Sequence, residues 1–271
     1  MTAQVLIDAF RLPAQALVGQ RIPKKLLVEQ GAPTAADKRL INDTVDELWW
    51  QATLKPGTVG VPASTVANVN AADATDVIEL AVVSAHLRPP TREAQARRLM
   101  QLIHRAIPYP VLLVAQAPAG TVLSLAHKRA SLGEAGKWVV ADGADTHAFD
   151  PAQPTAAEAQ FMASLALDQL PRSALADLRA LYQAMADRIT ALAVAQVTGQ
   201  FKPPEATHAA SASGVSAQRQ ALAERSQLLE QLASVRSTAA KARQMSQRVE
   251  LNLQIQRLQR QLQDIQARLA A

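Results

Sequence analysis

The spacing of apolar positions along this chain alternates between helical and strand periods and then settles into one long helical repeat. Val5, Leu6, Ala9 and Phe10 outline a short amphipathic helix stopped by Pro13. Thr34 stands where it can cap a second helix, expected over residues 35 to about 50, with Asp37 three residues on. Leu40, Ile41, Val45 and Leu48 make its inward face, leaving Asp37, Lys38, Asn42, Asp43, Asp46 and Glu47 outward. Lys55-Pro56-Gly57 reads as a turn, 59–62 as an extended edge and 63–76 as a connecting loop.

Branched apolar residues then predict a central strand over 77–87. Thr91 is expected to cap a helix over 92–106, which turns Leu99, Leu102 and Ile103 inward and stops at Ile107-Pro108-Tyr109-Pro110. Three short strands follow at 111–115, 121–127 and 137–141, the first two close enough for a hairpin. Strand, helix and successive neighbouring strands specify an α+β fold with a mixed or mostly antiparallel sheet packed with helices. Helices are expected over 156–168 and 173–196. The resulting division is a globular domain at 1–150, a helical annex at 151–197, a linker at 198–215 and a long helix at 216–271.

That last segment runs 56 residues without Pro or Gly. Leu251, Ile255, Leu258, Leu262, Ile265 and Leu269 step by fours and threes, one apolar stripe that asks for a partner helix, as in a coiled coil. An earlier series at Leu228, Leu232, Val235, Ala239 and Ala242 keeps a different register, so a stutter is expected near 245–253, within a continuing helix. The stripe predicts a homo-oligomer or a place in a larger protein complex.

Composition narrows the chemistry. Without Cys there is no disulfide, thiol nucleophile or thiolate metal site, and the chain is expected to be cytoplasmic. No run of about 20 apolar residues calls for a membrane, and no secretory signal is apparent. The formal charge is +5. Residues 216–271 hold nine basic side chains against four acidic ones, while the rest of the chain balances at 19 of each. Nucleic-acid contact therefore points to the tail, where the cations are too dispersed for a dense patch.

No phosphate-cradling GxxxxGK[ST], dinucleotide GxGxxG, zinc-binding HExxH or nucleophile-elbow GxSxG occurs. No metal or cofactor is expected. The strongest polar cluster is His127, Lys128 and Arg129 at a strand end, joined by His104 and Arg105 at a helix end, as an anion-binding or nucleotide-end site. The competing enzymatic reading is a small metal-dependent nuclease drawing on Asp76, Glu79, His104, His127, Lys128 and Arg129. Trp49 and Trp50 are candidate anchors, one indole entering the core while the other meets an edge or a partner.

The phrases Ile22-Pro23-Lys24-Lys25-Leu26-Leu27, Gly31-Ala32, Thr34-Ala35-Ala36-Asp37-Lys38, His104-Arg105-Ala106-Ile107-Pro108-Tyr109-Pro110 and Leu123-Ser124-Leu125-Ala126-His127-Lys128-Arg129 resemble a bacterial family classed as domain of unknown function 4391. The resemblance covers roughly residues 5–265. It implies a companion of helicase and DNA-methyltransferase proteins in restriction-like or phage-defence loci, and it transfers no catalytic residue. The reading is then a non-catalytic accessory or scaffolding subunit that assembles through its C-terminal helix.

Overall fold

A computed structural model describes residues 2–65, 76–130, 138–204, 208–242 and 244–270; of 129–130, 138–139, 141–142 and 208–214 only the backbone is described. The chain divides into two units, Met1–Ile189 and Thr190–Ala271.

The first unit is built on six strands lying side by side in chain order. Helix α1 (Thr2–Asp8) precedes β1 (Leu17–Arg21), α2 (Lys24–Gln30) and α3 (Ala35–Thr44); β2 (Val45–Leu54), the one-turn α4 (Pro56–Val59) and β3 (Leu80–Leu87) follow. Helix α5 (Glu93–Ala106) crosses over to β4 (Val111–Ala117), and β5 (Gly120–Ala130) and β6 (Trp138–Asp145) complete the sheet. Every neighbouring pair is antiparallel except β3 with β4, which the α5 crossover makes parallel, with Val82 opposite Leu112 and Ser84 opposite Val114. The fold is therefore α+β with a mixed sheet, as the pattern of elements indicated.

Burial by helices on both faces explains the continuous apolar runs. In β3 and β4, Leu80, Ala81, Val82, Val83, Val111, Leu112, Leu113 and Val114 are all fully enclosed. One face packs Ala81, Val83, Ala85, Leu113 and Ala115 with Leu99, Leu102 and Ile103 of α5 and with Leu27 and Ile41 of α2 and α3. Gly31, just after α2, is held against α5 so closely that a Cβ there would stand 2.7 Å from the Leu102 carbonyl oxygen and 2.9 Å from Ala106 Cβ. Only glycine fits that approach.

The residues expected as the second half of a helix form β2 instead. Val45 and Leu48, three apart and both buried, look helical in spacing, but a register shift between Val45 and Glu47 inserts a β-bulge. The extra residue brings positions three apart onto the same face. The expected edge at 59–62 likewise overlaps the short helix α4, with Gly60 left-handed at φ 69° behind it. Thr34 does cap α3, its Oγ1 accepting from the Asp37 amide at 3.1 Å. Asp37 is not outward, however; it is buried and bidentate to Arg98 at 2.9 and 3.0 Å, and this guanidinium holds its carboxyl below the usual carboxylate range. Thr91 turns away from α5 to donate to the Arg88 carbonyl, and Gln95 Oε1 takes the Arg92 amide at 3.0 Å.

Helix α6 (Ala156–Ser164) starts at Thr155 in a capping box with Glu158, whose carboxylate also meets His147 Nε2 at 2.5 Å. Helix α7 (Leu178–Thr198) is pinned through Tyr182, whose hydroxyl accepts from the Ala126 amide at 2.9 Å and donates to the Val111 and Ala126 carbonyls at 3.1 Å. This one side chain ties the helix to adjacent strands β4 and β5.

The second unit contains the end of α7, then α8 (His208–Lys241) and α9 (Met245–Ala270). The changed apolar register near Met245 is not a stutter inside one helix: α8 ends at Lys241 and α9 begins at Met245. Arg268 reaches Glu224 at 3.0 Å, and Ile265 and Leu269 pack with Ala221 and Val194, so the two helices run antiparallel as a hairpin. Leu258, Ile265 and Leu269 are buried along that seam; Leu251, Ile255 and Leu262 are half-buried. The partner helix the stripe requires is supplied within the same chain.

Candidate functional site

Strand β5 carries most of the polar chemistry, and its residues contribute to two cavities. Ser124 is paired across the ladder with Asp145 of β6 and accepts or donates to His104 Nε2 of α5 at 2.9 Å. His104 and Ser124 are both 2% exposed. Ser124 also stands near enough to the Asp145 carboxyl to favour its ionised form, and a hydroxyl turned to that carboxylate has a determinate proton assignment. A carboxylate only accepts, so the Ser124 hydroxyl donates to Asp145 and accepts from a proton on His104 Nε2. His104 Nδ1 is then a bare acceptor, and it has no hydrogen-bond partner among the described residues.

Electrostatics fit this neutral tautomer. Burial, reinforced by positive Lys128, pushes the His104 pKa down to about 3. Desolvation raises the Asp145 carboxyl above its ordinary range against the opposing influence of Ser124 and the Arg97 charge, although the residue as a whole is exposed. The order Asp, Ser, His differs from a nucleophilic triad, where the imidazole stands between the hydroxyl and the carboxylate. The chain therefore holds Ser124 as a bridge and does not activate it as a nucleophile.

Around this bridge lies a cavity of about 340 Å³ whose lining includes Arg97, Arg98, Arg105, His104, Ser124 and Asp145. Arg98 is committed to Asp37, and Arg97 makes an exposed pair with Glu93 at 2.9 Å. Arg105, half-buried on the last turn of α5, makes no ion pair or hydrogen bond among the described residues.

A second cavity of about 360 Å³ is lined by Asp76, Glu79, His127, Lys128, Arg179 and Tyr182 among others. Lys128 Nζ donates to the Ile107 carbonyl at 2.6 Å and to the Tyr109 carbonyl, and burial lowers its pKa to about 7. His127 meets the Tyr182 ring edge-on at 5.9 Å. Among the described residues no three His, Asp or Glu side chains converge as a metal-ligand set.

The five residues singled out as one anion site thus fall in two places. His104 and Arg105 line the first cavity and His127 and Lys128 the second; the side chain of Arg129 lies outside the described residues. Arg97, Arg98, Ser124 and Asp145 join the first pair, and no short motif signals them. Their signal is the helical spacing of Arg98 and Arg105, two turns apart on one face of α5. Trp49 and Trp50 sit half-buried on β2: Trp49 Nε1 donates to Glu47 at 3.2 Å, and Trp50 Nε1 to Thr53 at 2.8 Å while its ring meets Tyr109 edge-on.

No helix of the described residues is long and apolar enough to cross a membrane. No curated protein and no solved structure matches the chain. The profile of one family, a domain of unknown function designated DUF4391, matches residues 10–262, and the chain belongs to that family.

Proposed function

We propose that this chain is a non-catalytic accessory or scaffolding subunit of a bacterial phage-defence or restriction-like complex, docking through its C-terminal hairpin. The observation that carries the reading is a second apolar stripe on α9. Met245, Val249 and Leu253 recur at every fourth residue and are 74%, 53% and 50% exposed. At about 100° per residue they point about 180° away from the Leu258, Ile265 and Leu269 seam. One face of α9 completes the hairpin; the opposite face presents unpartnered apolar surface of the kind protein contacts use. A helicase or a DNA methyltransferase, the companions implied by the family resemblance, is the partner class, with a second copy of the chain as the other occupant.

The test is light-scattering mass of the full chain, alone and with co-expressed helicase or methyltransferase, against a Val249→Asp/Leu253→Asp variant. Loss of the assembly with unchanged melting temperature is the expected result, since both side chains are already exposed. An identical mass for both proteins in every mixture would remove the docking face.

A second reading rests on one specific observation, the shared cavity of Asp76, Glu79, His127 and Lys128. Two carboxylates beside a lysine of lowered pKa suit cation-assisted phosphodiester cleavage. In that case the purified protein cuts plasmid DNA only with a divalent cation, and Lys128→Met abolishes cutting without unfolding the chain; absence of cutting in the parent protein dismisses it.

A further inference from the structure

We propose that the cavity beside α5 binds a phosphate monoester carried on a hydroxyl-bearing small unit, a sugar phosphate or a single nucleotide, with the phosphate on Arg105 and the hydroxyls on Asp145. Nothing in the docking reading requires this site, and the two fail independently.

The lining is bipolar. It carries one carboxylate, Asp145, and three guanidiniums of α5, Arg97, Arg98 and Arg105. Asp37 and Glu93 already neutralise Arg98 and Arg97, whereas no described carboxylate pairs with Arg105. Arg105 therefore lacks an anion, and a planar guanidinium with free donors is matched by phosphate oxygens.

Asp145 asks for the opposite. An ionised Asp145 accepts hydrogen bonds, and its Ser124 partner satisfies only part of that capacity. Hydroxyl or amino donors on a ligand supply what Asp145 lacks, while bare phosphate brought against it is repelled. A volume of about 340 Å³ sits at the small end of ligand pockets, which suits one sugar phosphate or mononucleotide and excludes a duplex. Met100, Leu102, Leu125 and Val140 provide the apolar remainder of the wall.

Isothermal titration of the full chain tests this with ribose 5-phosphate, adenosine 5′-monophosphate, inorganic phosphate, adenosine and a 5′-phosphorylated oligonucleotide. The phosphorylated sugars are expected to bind and adenosine is not. Arg105→Gln, at a half-buried residue with no described partner, should weaken binding about tenfold or more with unchanged melting temperature. Asp145→Asn should weaken the sugar phosphates yet tighten inorganic phosphate, a reversal that a purely structural Asp145 does not produce. Tighter binding of the oligonucleotide than of the mononucleotide identifies a nucleic-acid end as the source, and the converse identifies a metabolite; both support the site. Adenosine binding as well as its monophosphate, indifference to Arg105→Gln, or no binding of any phosphate compound at millimolar concentration overturns it.

Discussion

Replacing Ile265 by Asp is expected to dismantle the α8–α9 hairpin. Ile265 is 5% exposed in a cluster with Val194, Ala221 and Leu269, so the change removes buried hydrocarbon and introduces a carboxylate into an apolar seam where Arg268, three residues on, is already paired with Glu224. Lost burial and desolvation together amount to roughly 5 kcal/mol, large against the stability of a small helical unit. Two long helices that bury only one stripe each have little else to hold them. Far-UV circular dichroism should lose helical signal, and limited proteolysis should open sites between residues 208 and 270. The exposed Leu253, on the opposite face of the same helix, is the control: Leu253→Asp should leave both readouts unchanged. Equal helicity and equal protection for the two variants would show that the seam does not stabilise the hairpin.

That contrast also marks what the residues disclose and what they withhold. A stripe of Leu and Ile at steps of three and four establishes that α9 needs a partner, yet it says nothing of where the partner comes from. Between Lys241 and Met245 the sequence holds neither Pro nor Gly, and the break between α8 and α9 shows in the antiparallel match of Glu224 with Arg268 and the packing of Ile265 and Leu269 with Ala221. In the sheet, β3, β4 and β5 were plain in their branched apolar runs, because strands covered on both faces need no polar alternation. Strand β2 was hidden by a bulge that counterfeits helical spacing. The site divides in the same way. His104 and Arg105 stood out as charged groups at a helix end, whereas their joining with Ser124 and Asp145 depends on the β5–β6 register, a long-range pairing that local pattern does not encode. Arg98 illustrates the converse: as one of three guanidiniums it looks available, but the buried Asp37 on α3 claims it.

Acid should destabilise this protein through His104 in a defined window. Its pKa in the folded chain is about 3, while the unfolded chain returns it to the ordinary 6.5. Below pH 6.5 the unfolded state therefore binds a proton that the native state refuses, and stability falls as pH falls, levelling only below about pH 3. One proton over that interval corresponds to about 5 kcal/mol, a cost tied to an imidazole that is fully enclosed and not screened by solvent. Asp145 opposes this trend: its raised carboxyl takes up a proton more readily in the folded chain, which favours the native state as pH falls through its folded pKa. His104→Gln keeps a donor for Ser124 and removes the titration, at a neutral-pH cost of about 1 kcal/mol for an imperfect hydrogen bond. Denaturant titrations from pH 7 to 4 should show the parent losing stability more steeply than the variant by about 1.4 kcal/mol per pH unit, so that the curves cross and the variant is the more stable protein in acid. Parallel curves would mean that His104 is reached by solvent or charged in the native state. A charged imidazole would still donate from Nε2 to Ser124, but its Nδ1 would be a donor in place of a bare acceptor.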